Sequence, residues 1–153
     1  MTPIHAEATT IIKARPEAVY AVIADYRVGH PAILPKPYFT ELAVEQGGQG
    51  AGTIIRVGMN VMGVKQVYHE VVSEPQPGRV LVEADAEAGV TSTFTVEPVN
   101  AGQQARVTIA SDARPSPGLK GLLERLFNPP ITRRIFQQEL RQLAAYVERQ
   151  PSA

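Results

Sequence analysis

The sequence predicts an α+β domain in which antiparallel strands curve around one long C-terminal helix. Two observations lead to this fold class. Residues 117–150 carry apolar side chains at helical spacing with Glu, Gln and Arg between them, which is the pattern of an amphipathic helix. From Tyr38 onward, about seventy residues alternate between apolar and polar, and glycine-containing turns divide them into short strands. Because strands joined by tight turns pair antiparallel, a sheet folded around the helix buries both apolar surfaces together.

The composition fits a single domain over residues 1–150 and excludes several classes of function. The chain has 153 residues, enough for a sizeable core. Its 15 basic and 15 acidic residues cancel, and no basic patch of the kind that nucleic-acid binding requires is present. Without cysteine, disulfides and thiolate ligands are excluded. No apolar run reaches the ~20 residues of a membrane span and no signal-peptide pattern is visible, so we expect a cytoplasmic protein with residues 151–153 as a free tail.

The N-terminal segment predicts a strand followed by short helices. Ile4–Ile12 is rich in Thr and Ile, which favours a strand. Pro16 suits the first turn of a helix, and apolar residues at helical spacing extend that helix over residues 16–25. A second helical turn is expected at residues 30–34, because Pro35-Lys36-Pro37 then forces an extended chain.

A hairpin at Met62-Gly63 determines which side chains share a face of the sheet. A two-residue turn there pairs Val57 with Tyr68, and the face that carries both is the more apolar one, so we place it inside. Gln66 and Glu70 lie on the same inner face, where polar side chains need partners or water. The same alternation puts the following residues inside: Ile55, Met59, Val61, Val64, Val72, Val80, Val82, Phe94, Val96, Val107 and Ile109.

The long C-terminal helix is divided by Asn128-Pro129-Pro130. Proline removes a backbone donor and clashes with the preceding turn, so we expect a bend or short break there. Gly118 and Gly121 reduce side-chain bulk near the start of the helix and favour open space at that end. The apolar stripe consists of Leu119, Leu122, Leu123, Leu126 and Phe127 before the prolines, and Ile131, Ile135, Phe136, Leu140, Leu143, Ala144 and Val147 after them.

Three local patterns, together with the order of elements, resemble a known superfamily over nearly the whole chain. Residues 14–25, ARPEAVYAVIAD, resemble its entry from strand to helix. Residues 93–99 with the turn and residues 106–108 that follow resemble its penultimate hairpin, and residues 139–148 resemble its C-terminal helix ending. The sequence is therefore similar to the helix-grip superfamily, which includes START domains, the birch-pollen-allergen fold and the polyketide cyclase/dehydrase (SRPBCC) family.

This resemblance implies a seven-stranded curved antiparallel sheet around a long kinked helix, with an apolar cavity between them for a small hydrophobic molecule. Members of the superfamily are carriers, hormone receptors, cyclases, dehydratases and co-chaperone-like modules. The tryptophan usual in the entry helix is Tyr20 here, and the chain has no tryptophan. The expected cavity wall consists of Ile55, Val57, Met59, Gln66, Tyr68, Val82, Phe94, Ile109, Leu122, Leu126 and Phe127.

Tyr68 and Glu70 are the candidate polar groups of this cavity. A phenol and a carboxyl group there can orient a ligand carbonyl, or act as general acid and base if burial raises the pKa of Glu70. The alternative is that both are solvated or hydrogen-bonded for structural reasons. If the register shifts by one residue, Arg56 and His69 become the cavity pair instead, because every side chain then changes face.

Other chemistries have little support in the sequence. The acidic and histidine residues that are near one another do not have the spacing of a metal site, so we expect no metal and no cofactor. The glycine-rich residues 47–52 lie between two strands and indicate a hairpin loop, since no helix follows to complete a phosphate site. The possible metal ligands considered are His5, His30 and His69 with the nearby Glu7, Asp25 and Glu70.

Three hypotheses about function follow. The first is a carrier or sensor that binds a small hydrophobic or aromatic molecule, including lipids, by apolar contacts and a few polar anchors. The second is a cyclase/aromatase or dehydratase that positions a flexible substrate and transfers a proton through Tyr68 or Glu70. The third is a partner-binding module with a vestigial cavity, which requires a closed interior and an exposed apolar patch. The ligand and the oligomeric state are not determined by the sequence.

Overall fold

A computed structural model describes residues 2–150 of the chain, and the predicted free tail at 151–153 lies outside them. In chain order the elements are β1 (Ile4–Ile12), α1 (Pro16–Ala24), α2 (Gly29–Ile33), β2 (Phe39–Gln46), β3 (Ile54–Val61), β4 (Val64–Gln76), β5 (Val80–Asp85), β6 (Val90–Val99), β7 (Gln104–Ala113) and α3 (Leu119–Glu148). The strands form one seven-stranded antiparallel sheet in the order β1-β7-β6-β5-β4-β3-β2. This confirms the predicted helix-grip architecture. None of the helices in the described range is long and apolar enough to span a bilayer.

The β3–β4 hairpin has the predicted register. Val57 pairs with Tyr68 across the two strands, and the turn residue Met62 has φ of 53°, a left-handed conformation that such a tight turn requires. Ile55, Val57 and Val72 of the inner face are buried. Arg56 lies on the outer face, where it forms an ion pair with Glu41 at 2.6 Å. The alternative register, which would have turned Arg56 and His69 inward, is therefore excluded.

Strand β5 has the opposite parity to the one predicted. Leu81 pairs with Phe94 and is fully buried, and Glu83 is also on the inner side, whereas Val80 and Val82 point away from it. Val80-Leu81-Val82 are all apolar, so they do not show which side chains of this short strand face inward. Polar residues of a strand usually face outward, but Glu83 faces inward here. The prediction that Val82 faces the interior was therefore wrong.

Helix α3 is continuous through Pro129 and Pro130, so the predicted short break is absent within Leu119–Glu148. Its second half packs along β1 and against α2, burying Ile135, Phe136, Leu140, Leu143 and Val147. Its first half exposes its apolar side chains: Leu119, Leu122, Leu123, Leu126 and Phe127. The sheet therefore grips the helix mainly through its C-terminal half.

Gly121 is buried at the start of α3 for a reason that the sequence did not suggest. A Cβ atom at this position would lie 1.9 Å from the carbonyl oxygen of Ser116. The Ser116 backbone N–H and hydroxyl both donate to the Glu124 carboxylate, at 2.7 and 2.9 Å. The space that a side chain at Gly121 would occupy is thus filled by the segment preceding the helix, and it is not part of an open cavity.

Candidate functional site

A cavity of about 710 Å³ lies between the inner face of the sheet and α3. This is within the size range of small-molecule sites in proteins. Most of its wall is apolar, as expected for an inner sheet face that the helix does not fill. The sheet contributes Ile4, Ala6, Phe39, Leu42, Ile55, Val57, Met59, Val90, Phe94 and Ile109, and α3 contributes Phe127, Ile131, Ile135 and Phe136.

Most of the residues predicted for the wall are in it, and three are not. Ile55, Val57, Met59, Gln66, Tyr68, Phe94, Ile109 and Phe127 line the cavity. Val82 lies outside the wall because of the reversed parity of β5. Leu122 and Leu126 also lie outside, with 63% and 66% of their surface exposed. The apolar stripe at the start of α3 is wider than the surface that the sheet covers, so only its Phe127 side reaches the cavity.

The exposed wall residues lie at the tip of the β3–β4 hairpin and in the first half of α3, and we infer that the mouth of the cavity is there. Met62 and Val64 at the hairpin tip and Phe127 of α3 line the cavity, but all three side chains are largely exposed. Lys120 and Glu124 lie beside them in the wall. A ligand that enters here passes an apolar rim with a few charged side chains.

Three carboxyl groups meet in the interior wall, each from a different element. Glu70 comes from β4, Glu83 from β5 and Glu139 from α3, and all three are buried. Glu139 occupies a position of the apolar stripe, four residues after Ile135 and one before Leu140, so the same helical spacing that buries these residues buries its carboxyl group. The inner wall therefore has a compact acidic region within an apolar surface.

Burial changes the protonation of two of these groups. Burial, together with the neighbouring carboxylates of Glu83 and Asp85, raises the pKa of Glu70 to about 9. Burial likewise raises the pKa of Glu139 well above its ordinary value, with Glu83 and Glu70 adding to the effect. Glu70 is therefore a neutral acid at pH 7 with an O–H group to donate, and the pKa of Glu139 is shifted in the same direction.

Glu83 differs because it has hydrogen-bond partners. The Tyr26 hydroxyl donates to Glu83 Oε1 at 2.5 Å, and His30 Nε2 lies 3.3 Å from the same oxygen. His30 Nδ1 lies 2.7 Å from the Ile23 carbonyl oxygen, which only accepts, so Nδ1 is the donor. The His30 ring also stacks on Tyr26, with ring centroids 4.5 Å apart. The segment after α1 and helix α2 thus hold one carboxyl group of the cluster in place.

Tyr68 and Gln66 lie next to the carboxyl groups on β4. The Tyr68 hydroxyl donates to Gln66 Oε1. Burial raises the pKa of Tyr68, and the charges of Glu70 and Asp85 act in the same direction, so the phenol remains protonated. Asp85 has a structural role: burial pushes its pKa up, but hydrogen bonds from the backbone N–H groups of Ala88 and His69 outweigh it and lower the pKa overall.

The histidines are too far apart in the fold to form one site. His5 contacts Glu7 and Asp112 at the surface, His69 lies near Glu45 on the outer face of the sheet, and His30 is buried beside Glu83. Over residues 2–150 no group of three or more His, Asp or Glu side chains has an arrangement that fits a metal ion.

Sequence reasoning found Tyr68 and Glu70 but missed Glu83, Glu139, Tyr26 and His30. A signal for Glu139 exists, since a carboxyl group at a stripe position of an amphipathic helix must be buried. Glu83 was missed because the inward-facing residues of β5 were predicted incorrectly. Tyr26 and His30 reach the site only through the packing of α1 and α2 against α3 and β6, which residue spacing does not reveal.

The chain matches one protein family and is similar to several solved structures. Residues 3–148 match the model of the family described as polyketide cyclase/dehydrase and lipid transport. A search of curated protein sequences gave no significant match. Among solved structures, the KanY protein is 31% identical, with a TM-score of 0.83 and coverage of 97% of this chain and 99% of that one.

Two further structures share the fold at lower identity. The ZhuI aromatase/cyclase from Streptomyces sp. R1128 is 19% identical with a TM-score of 0.74, over 95% of this chain and 93% of that one. A START superfamily protein from Mycobacterium smegmatis is 13% identical with a TM-score of 0.68, over 94% and 97%. At these identities the likeness is one of fold.

Proposed function

The chain belongs to the polyketide cyclase/dehydrase and lipid transport family, and from this premise we propose that it binds a small hydrophobic or aromatic molecule between the sheet and α3. The observation that carries the proposal is the cavity of about 710 Å³ with its apolar wall. The proposal makes the protein a carrier or a sensor. The third hypothesis, a module with a vestigial cavity, requires a closed interior, and the cavity of about 710 Å³ favours the binding function over it.

The composition of the wall supports this function. Ile55, Val57, Phe94 and Ile109 are at most 4% exposed and present aliphatic and aromatic surface to the cavity. A ligand gains from these side chains mainly through van der Waals contact. At the more exposed apolar wall residues, Met62 and Phe127, it gains about 25 cal/mol for each Å² of area removed from water. Tyr68 and the carboxyl groups are the polar anchors that orient the bound molecule.

The first experiment is native mass spectrometry of the purified protein, followed by denaturing release of any bound molecule. Calorimetric titration with 1-pyrenemethanol, a neutral apolar compound, then measures binding directly. Val57→Trp places an indole in the cavity and is expected to weaken this binding at least tenfold, because the added side chain takes up space that the ligand needs. Val67→Trp, on the exposed outer face of β4, is the matched control and is expected to bind normally.

The proposal fails if the released fraction contains no small molecule and 1-pyrenemethanol does not bind the unmodified protein. It also fails if Val57→Trp and Val67→Trp bind equally well, because the ligand then lies elsewhere. Circular dichroism of both variants identifies any loss of binding that comes from misfolding.

A second candidate function is catalysis of the cyclase/aromatase or dehydratase kind. The specific observation that favours it is a neutral acid, Glu70, beside the phenol of Tyr68 in the cavity wall. A general acid must carry its proton at the working pH, and a raised pKa provides this. Tyr68→Phe and Glu70→Gln then abolish turnover of a substrate while leaving its affinity largely intact. In a carrier, the same changes shift affinity modestly.

A further inference from the structure

Glu70 and Glu139 are buried polar side chains without partners. They are 7% and 2% exposed, and both belong to the cavity wall. Across residues 2–150 no hydrogen bond and no cation contributes to the environment of either carboxyl group. Every side-chain nitrogen or oxygen in that range that is fully enclosed has a hydrogen-bond partner. The carboxyl oxygens of Glu70 and Glu139 have none, so they are not fully enclosed and face the cavity space. They are hydrogen-bonding groups that the protein itself leaves unused.

The groups around them are carboxyl groups and phenols, with one histidine. Glu83 and Asp85 of β5 and Tyr68 of β4 face the carboxyl groups from the sheet, and Tyr26 and His30 approach through their contacts with Glu83. Lys120 is the one Lys or Arg among the described wall residues, and it is an exposed side chain at the mouth. The interior end of the cavity therefore has negative potential and unused acceptors.

We propose, on the basis of the binding function above, that the ligand is a hydrophobic molecule with a protonated amine, and that Glu70, Glu83 and Glu139 receive its ammonium group. A primary ammonium has three N–H donors and no acceptor, which matches three carboxyl groups from three different elements. Its apolar part then lies along the wall formed by Ile55, Phe94 and Ile109. A carboxylate or phosphate group at the same place accepts hydrogen bonds from protonated acids, but Glu83 and Asp85 oppose its charge and no Lys or Arg of the inner wall offsets it.

Binding of such a ligand releases protons from the protein. In the free protein burial and neighbouring carboxylates favour the protonated forms of Glu70 and Glu139. An ammonium group at hydrogen-bond distance favours the carboxylate instead. For each neutral carboxyl group that ionises against the ligand, one O–H bond breaks and one proton passes to the solvent, while the ammonium keeps its own protons.

A matched series of compounds tests this inference. Calorimetric titrations at neutral pH compare 1-pyrenemethylamine, 1-pyrenemethanol and 1-pyrenecarboxylic acid, which share one apolar group and differ in charge. We expect the amine to bind at least tenfold more tightly than the alcohol, and the acid to bind more weakly than either. Titration of the amine in phosphate and in Tris, which have different ionisation enthalpies, is expected to show net proton release that the alcohol does not show.

Substitutions of the cluster residues test whether their carboxyl groups bind the amine. Glu139→Gln keeps the size and polarity of the side chain but removes its charge, and it is expected to lose about tenfold in affinity for the amine with little change for the alcohol. Glu148→Gln, at an exposed position of the same helix, is the control and is expected to bind all three compounds normally. Glu70→Gln repeats the test from the sheet side if the helix variant does not fold.

The outcomes separate this inference from the binding function beneath it. If the alcohol binds but the amine binds no more tightly and releases no proton, the amine proposal is overturned and the cavity still binds hydrophobic molecules. Unchanged amine affinity in folded Glu139→Gln, or in Glu70→Gln where the helix variant does not fold, overturns it as well. Absence of binding by all three compounds, with no co-purifying molecule, overturns the binding function itself.

Discussion

Tyr26 donates its phenolic hydrogen to Glu83 Oε1 over 2.5 Å, and this contact joins the segment after α1 to the inner face of β5. Both side chains are buried. Burial raises the pKa of Tyr26, and the Glu83 carboxylate raises it further, so the hydroxyl stays protonated and remains a donor. The contact positions Glu83 at the edge of the cavity without using the oxygens of Glu70 or Glu139.

Tyr26→Phe tests the contribution of this hydrogen bond to stability. The change removes the donor and leaves a buried carboxyl group with fewer partners, so we expect the free energy of unfolding to fall by about 1–3 kcal/mol. Urea unfolding followed by circular dichroism measures the loss. Tyr146→Phe, on the partly buried side of α3, is the control and is expected to cost less. Equal losses in the two variants would contradict a special role for Tyr26.

The raised pKa values of Glu70 and Glu139 predict how stability depends on pH. A carboxyl group whose pKa is about 9 in the folded protein and near its ordinary 4.5 in the unfolded chain binds more protons when folded between those values. The free energy of unfolding therefore falls as pH rises through this window, by at most about 1.4 kcal/mol per pH unit for each group. Urea titrations at about pH 5, 6, 7 and 8 measure the slope.

Glu70→Gln is the matching variant for the pH prediction. It cannot ionise, so its stability is expected to decline less between about pH 5 and 8 than that of the unmodified protein. It is also expected to be the more stable of the two at the upper end of that range, because Glu70 ionises in the unfolded chain but stays protonated in the folded protein, which favours unfolding of the unmodified protein. A slope as steep as in the unmodified chain would show that Glu70 does not hold its proton in the folded state.

Gly121→Ala tests the packing at the start of α3. Its Cβ would lie 1.9 Å from the Ser116 carbonyl oxygen, so backbone must move although alanine favours a helix. We expect a loss of about 1–3 kcal/mol, or a local opening of the first turns of α3. Thermal unfolding and hydrogen exchange measure the two effects. Arg133→Ala, at an exposed helical position, is expected to change neither. A more stable Gly121→Ala variant would refute the steric account.

The two halves of α3 are expected to differ in local stability. Residues 119–127 expose most of their apolar side chains, whereas residues 135–147 bury theirs in the core. Backbone amides of the first half should therefore exchange hydrogen faster by at least tenfold, as measured by mass spectrometry. A bound ligand that contacts Phe127 at the mouth is expected to slow exchange there. Uniform protection along the helix would disagree with this difference.

Much of the fold could be predicted because the hydrophobic pattern and the turn chemistry agree. Met62-Gly63 determines the register of β3 with β4, and the pairs Val57–Tyr68 and Ile55–Glu70 follow from it. The turn alone therefore placed Tyr68 and Glu70 in the cavity wall. The stripe from Ile135 to Val147 likewise identified the buried face of α3.

The parts of the fold and of the site that were not predicted depend on tertiary packing, which residue spacing does not encode. Leu122 and Leu126 satisfy a helical stripe as well as Leu140 does, but the sheet does not extend over them. The run Val80-Leu81-Val82 has no alternation, so nothing in it shows that Glu83 points inward. The cluster of Glu70, Glu83 and Glu139 joins two strands and a helix that are separated in sequence, and only the assembled fold brings them together.

The position of Tyr68 in the wall of a chain that has five tyrosines and no tryptophan has a spectroscopic consequence. The intrinsic ultraviolet emission of this protein comes from phenols alone, with no indole signal to mask them. An aromatic guest that absorbs where phenols emit and lies beside Tyr68 accepts its excitation energy. Occupancy of the cavity can therefore be followed by quenching of the native chromophores, without any label.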